Sequence, residues 1–171
     1  MGQQFKLENV QVNWPTLFVP KTSKNFPNNP PTFSIVTILD PKQRGGLISQ
    51  IKESMDSQMK TAFNGATRPY PSSWTPQADG KIHLRSSAGA DRKPQVVDQN
   101  VNLLHADNGE IYAGCFCNVV IDVYATTNHG GKVAIGLLAV QKVADGDRLD
   151  NRPAAEDLFK PIDVQGGNPL M

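Results

Sequence analysis

The chain is poor in the features that mark several protein classes. Two cysteines in 171 residues cannot build a disulfide framework. No apolar run approaches the roughly 18 residues a membrane helix needs. The opening residues, Met1-Gly2-Gln3-Gln4-Phe5-Lys6, hold no apolar stretch of the secretory type. Lys6 also stands where a myristoylation signal needs Ser or Thr. There is no phosphate-cradling Walker loop and no dinucleotide glycine fingerprint. His83, His105 and His129 are scattered without metal-ligand spacing. Asp40, Glu53 and Asp56 lack the grouping of a metal-dependent nuclease. The expectation is a soluble cytoplasmic protein that is not an enzyme, carries no cofactor or metal and does not touch a membrane.

What is present argues for one folded domain. The hydrophobic fraction is 39%, too high for a wholly disordered chain, and the length suits a single core. Net charge is +1, but residues 1–143 hold 14 Lys/Arg against 10 Asp/Glu, and residues 144–171 hold three against six. A mildly basic body with an acidic-leaning end is compatible with a polyanionic partner. The boundaries expected are a domain over 1–143 and a flexible C-terminal tail over 144–171, with one short turn near Glu156 to Phe159.

Alternation and period locate the elements. Phe5 to Val19 reads as a strand interrupted near Pro15, with Val10, Val12 and Trp14 on one side and Trp14 therefore in the core. Phe33 to Leu39 is a second strand, ended by Asp40-Pro41. Leu47, Ile48, Ile51, Met55, Met59, Ala62 and Phe63 form one helical stripe, stopped at Asn64-Gly65. Gly45-Gly46 reads as a loop-to-helix joint. Residues 64–81 are a proline-rich loop, Ile82 to Leu84 a short strand and Ser86 to Pro94 a polar loop. From Glu110 to Ala125 the sequence alternates almost without a break. One face, Ala113, Cys115, Cys117, Val119, Ile121, Val123 and Ala125, is wholly apolar, which makes the two cysteines buried, reduced thiols. Asn128 to Gly131 makes a turn. The last strand puts Val133, Ile135, Leu137 and Ala139 on one side, with Lys132, Gly136, Leu138, Val140 and Lys142 on the other. The fold class expected is mainly β: an antiparallel barrel of the oligonucleotide/oligosaccharide-binding (OB) type with an inserted helix.

The non-core face of the Glu110–Ala125 strand carries Tyr112, Phe116 and Tyr124, with Lys132 and Lys142 on the corresponding side of the next strand. Rings beside cations are what a single-strand binder uses, bases stacking on π faces while Lys and Arg track phosphates. Core packing beneath the helix is the competing role for the same rings. Phe18, Phe26, Tyr70 and Trp74 sit by proline-rich breaks that favour exposure, and Phe18 and Trp74 join the stacking candidates. Lys21, Lys24, Arg85, Arg92, Lys93, Lys132 and Lys142 are the phosphate candidates.

Several segments resemble a bacteriophage single-stranded DNA-binding protein family: Glu110-Ile111-Tyr112-Ala113-Gly114-Cys115, Val123-Tyr124-Ala125, Gly136-Leu137, Val140 to Gly146, Lys93 to Asp98 and Leu17-Phe18. The resemblance runs over roughly residues 5–160, and the family is similar to the T-seven-type phage replication protein. It implies an OB barrel with a helix beside it, and a non-catalytic role in the host cytoplasm. That role is coating single-stranded DNA, with RNA and phage or host replication proteins as further partners. It favours Tyr112, Phe116 and Tyr124 as stacking or barrel-framework residues. The dispersed Glu156, Asp157 and Asp163 depart from the strongly acidic ending common in such proteins, which weakens tail-mediated recruitment of a polymerase or helicase. The rival class is a β-rich virion structural or protein-interaction module.

Overall fold

The computed structural model describes residues 2–22, 24, 27–63, 73–106, 109–126, 132–149 and 159–162. In chain order the elements are β1 (Gln3–Lys21), β2 (Thr32–Leu39), α1 (Pro41–Ala62), β3 (Trp74–Pro76), β4 (Ile82–Gly89), β5 (Gln95–Val97), β6 (Phe116–Thr126) and β7 (Lys132–Ala144). The sheet order is β3-β4-β2-β1-β6-β7-β5, and β4 also pairs with β7 in parallel through Ser87 and Gly136. That last pairing closes β1, β2, β4, β6 and β7 into a five-stranded barrel with one helix, the expected OB-like fold. Closure removes the exposed edges of an open sheet. The first half of β4 carries β3, the second half carries β7, and β5 lies on the outer edge of β7.

The barrel is filled by the inward residues of every strand, among them Leu7, Val12, Ile35, Leu39, Leu84, Val119, Ile121 and Val123. Each such side chain contributes about 1.5–3 kcal/mol relative to exposure. Cys115 and Cys117 are buried and free. The helix seats Ile48, Ile51, Met55 and Met59 on this core, and Gln58 Nε2 donates to the Val123 carbonyl at 2.7 Å, fixing it against β6.

Four expectations from the sequence need correction, each for a local backbone reason. The helix begins at Pro41, not near Leu47: Asp40 caps it by accepting from Lys42 N at 3.0 Å, and proline fits the first helical position because no amide is needed there. Arg44 leaves helical geometry and marks a kink, so Gly45-Gly46 lies inside the helix. Second, the polar loop begins later than Ser86, because β4 runs on to Gly89. Third, the strand expected to start at Glu110 starts at Phe116, after a turn in which Gly114 takes φ +112°; the expected face is nevertheless buried from Ala113 to Val123, and only Ala125 is half-buried.

Fourth, bulges reverse the parity of β1 and β7. In β7, Ile121 faces Leu137 while Val120 faces Ala139, so Leu138 is the extra residue. Val133, Ile135 and Leu137 point inward before it, Val140 and Lys142 after it. In β1, breaks in register follow Leu7 and Asn13. Trp14, expected in the core, is 64% exposed. Asn64-Gly65, Phe26, Tyr70, the turn at 128–131 and Glu156 lie outside the described residues.

Candidate nucleic-acid interface

The outward side of β6 presents Asn118, Val120, Asp122 and Tyr124, because its inward partners are all buried and the strand has no bulge of its own before Thr126. Asn118 is committed to the fold: its carbonyl accepts from Asn9 N at 2.8 Å and its amide donates to Gln141 Oε1 at 3.1 Å. Tyr124 is not so committed. It is 36% exposed, and its ring lies across Gly136 of β7. A Cβ at position 136 would stand 3.3 Å from Tyr124 Cε1, tighter than ordinary contact, so glycine gives the ring its room.

Where β7 closes on β4, Tyr124 lines a groove of about 750 Å³. Ser87, Ala88 and Gly89 of β4, followed by Arg92 and Lys93, line it too. Asp122 is the acidic residue of the lining, and Gln4 and Gln95 add neutral polar groups. Lys93 also reaches Phe18, its Nζ 5.9 Å from the ring centroid, within cation–π range. Phe18 is half-buried in a smaller cleft of about 160 Å³ shared with Lys21 and Ile111. The structure therefore gathers Tyr124, Arg92 and Lys93 in one groove, with Phe18 and Lys21 in the adjoining cleft.

The remaining candidates are placed elsewhere. Trp74 is 7% exposed and belongs to the core cluster, which corrects its reading as an exposed stacking ring: the short strand β3 lays it against Leu84. Lys132 is exposed on the groove side of β7, four residues before Gly136. Arg85 is exposed on the outer side of β4, and Lys24 is exposed in the β1–β2 loop.

Tyr112, Phe116 and Lys142 form a separate, closed cluster. The Tyr112 hydroxyl donates to the Gly146 carbonyl at 2.9 Å and accepts from Gly146 N at 3.1 Å. Lys142 Nζ and the Arg148 guanidinium stand 5.2 and 4.8 Å from the Tyr112 ring centre. Phe116 lies against Gly146, where a Cβ would meet its ring at 2.8 Å. Lys142 is buried by the bulge that turned it inward, donates to the Glu110 carbonyl and pairs with Asp145 at 2.8 Å. This corrects Lys142 as a solvent-facing phosphate contact.

The electrostatics of that cluster are self-contained. Burial works against the Lys142 charge, but its hydrogen bond to Asp145 and the nearby Cys115, Asp145 and Tyr112 outweigh it and raise its pKa. The same hydrogen bond lowers the Asp145 carboxyl. The two thiols lie 3.7 Å apart; the hydrogen bond from Cys117 lowers Cys115 to about 7 and raises Cys117. Leu149 N donates to the Ala113 carbonyl at 3.0 Å, and a side chain at Gly114 would collide with the Asp147 carbonyl. Residues 145–149, expected as the start of a free tail, are thus docked on the turn before β6.

The exposed ring that the sequence reading placed in the core is Trp14. It stands on the outer surface with its ring 6.4 Å from that of His83, tilted 63°. Alternation with Val10 and Val12 pointed it inward, but the interruption read near Pro15 already sets in after Asn13 and turns Trp14 outward.

Comparison with known proteins agrees with the fold. A protein named p50 from Acyrthosiphon pisum secondary endosymbiont phage 1 is 28% identical over 168 residues, covering 84% of this chain and 85% of that one. The single-stranded DNA-binding protein of bacteriophage Enc34, solved in complex with ssDNA, superposes with a TM-score of 0.74 at 22% identity, over 86% of this chain and 89% of that one. The single-stranded DNA-binding protein gp2.5 of bacteriophage T7 gives 0.60 at 13% identity, over 89% and 97%. The profile of the Enterobacter phage Enc34 ssDNA-binding protein family matches residues 3–168, and the chain belongs to that family.

Proposed function

We propose that this chain coats single-stranded DNA without sequence selectivity during phage replication and recombination, acting in the host cytoplasm as a binding protein that needs no cofactor. The observation that carries the reading is the groove whose lining brings together Tyr124, Arg92 and Lys93. Gly136 seats the Tyr124 ring in that groove. Stacking tolerates any base, because every base has a π face, and the cations take the phosphates. Family membership and the likeness to the Enc34 and T7 proteins support the same ligand. Phe18 and Lys21 extend the contact beyond Lys93, and Lys132 extends it past Tyr124. RNA and replication proteins are further partners, since stacking accepts either sugar.

The test is a titration with oligo-dT and with duplex DNA of equal length across a salt series. Single-strand affinity should be the greater and should fall with salt, the log–log slope changing by about 0.7 for each phosphate contact removed with Arg92 or Lys93. Tyr124→Ala should cost about 1–3 kcal/mol of affinity with little change in thermal midpoint. Equal affinity for both DNA forms, or binding unaffected at all three positions, would sink the proposal. Self-association that alone buries the groove would favour a virion interaction module instead.

A further inference from the structure

Outside the groove, Trp14 combines exposure with backbone strain, as Asn9 and Val101 also do, and of these three it alone carries a ring. Trp14 has φ +44°, a left-handed conformation disfavoured for a bulky side chain, and strain of this kind gathers where function requires it. A buried indole would offset the strain by packing, but this ring is 64% exposed. The Asn13 side chain accepts from Trp14 N at 2.9 Å and holds the turn. The tilted contact with His83 orients the indole while most of it stays in solvent.

The position of His83 connects this ring to the groove. Ile82, Leu84 and Ser86 point into the barrel, so His83, Arg85 and Ser87 share the outer side of β4. Ser87 is already part of the groove wall. Four residues of extended strand, about 13 Å, separate His83 from Ser87, and the exposed Arg85 lies between them. Arg85 has a long 3.5 Å hydrogen bond to Ser34 Oγ.

We infer that the nucleic-acid track continues from the groove along the outer side of β4, with Trp14 stacking an unpaired base and Arg85 taking a backbone phosphate between that base and Tyr124. This rests on the single-strand reading above and assigns its second stacking platform. The run of ring, cation and groove in one line favours a strand of nucleic acid over a protein partner.

The chain has two tryptophans, and Trp74 is buried, so the emission of the exposed one reports directly. Titrating the full chain with a dT oligonucleotide at low salt should quench the fluorescence of the wild type. Trp14→Gly, in which Trp74 alone remains, should show no quenching and bind about tenfold more weakly. Glycine accepts the positive φ without cost, so its thermal midpoint should hold or rise; a merely structural tryptophan would lower it. Trp14→Tyr should restore most of the affinity. Wild-type affinity in Trp14→Gly, or quenching that survives in it, overturns the inference and leaves the groove reading standing. A wild type that binds no oligonucleotide removes both. Burial of Trp14 only by a protein copy, with DNA affinity unchanged in the variant, overturns it in favour of a protein contact.

Discussion

Two regions of this molecule place an aromatic ring beside basic side chains, and they do opposite things. Around Tyr112 every group has an internal partner: the hydroxyl holds Gly146, Lys142 holds Asp145 and Glu110, and the ring lies under Lys142 and Arg148. Around Tyr124 the ring lies on a glycine, and Arg92 and Lys93 line the same open groove. The difference teaches that ring-plus-cation composition does not by itself mark a binding site, since the fold can consume it internally, as at Tyr112, or leave it on an open groove, as at Tyr124. In the first region the chain has used the same chemistry on itself, to fasten residues 145–149 to the turn before β6.

The comparison breaks most visibly at Lys142. Lys142→Ala strips the buried ammonium from the Glu110 carbonyl and Asp145, and hydrogen bonds to a charged group are worth about 1.5–3 kcal/mol each. The packing of its aliphatic stem is lost as well. Stability measured by urea unfolding should fall by about 2–3 kcal/mol, while the oligo-dT affinity of the folded protein stays within about twofold, in contrast with Tyr124→Ala. A variant that keeps its stability and loses affinity would place Lys142 on the DNA after all.

How much of this contrast the sequence could carry depends on where the backbone stays regular. β6 is regular, so the parity of Cys117 to Val123 was legible, and with it the barrel wall and the outward Tyr124. The β7 side was legible only up to Leu138. One extra residue there turns Val140 and Lys142 inward, and a bulge leaves no compositional mark when the residues on both sides of it are apolar. Trp14 failed in β1 because the interruption read near Pro15 already sets in after Asn13. The helix start at Pro41 carried a readable signal, Asp before Pro, which the two glycines that follow obscured. The docking of Gly146 on Tyr112 joins residues 34 positions apart, a distance no local pattern spans.

Acid sharpens the comparison further, because the Asp145 shift belongs to the closed region. Its carboxyl is lowered from an ordinary 3.8, chiefly by the Lys142 hydrogen bond. The folded chain therefore keeps the carboxylate where the unfolded chain would protonate it. The contribution is complete above that ordinary value and is lost as pH falls through the folded one. Lys142 is raised above its ordinary 10.5, so its contribution is complete below that value and fades as pH rises through the folded one. Amide exchange followed by NMR should show Leu149, which donates to Ala113, losing protection on acidification before the amide of Val123 in the core. Simultaneous loss at both positions would mean that 145–149 does not open as a separate unit.

The smallest effect tests the groove from its acidic side. Asp122 lines it together with Arg92 and Lys93, and on the proposed reading a carboxylate there repels the phosphates those cations attract. Asp122→Asn keeps the shape and removes the charge. Partly exposed charges of this kind are worth about 0.2–1 kcal/mol, so affinity for oligo-dT should rise by about 1.4-fold to fivefold at low salt. The gain should shrink as salt screens the site over a Debye length of ~10 Å at 0.1 M. A fall in affinity would assign Asp122 the opposite role, that of accepting a hydrogen bond from a base. Base preference among dT, dC and dA oligonucleotides would then change with the substitution, which simple removal of repulsion does not produce.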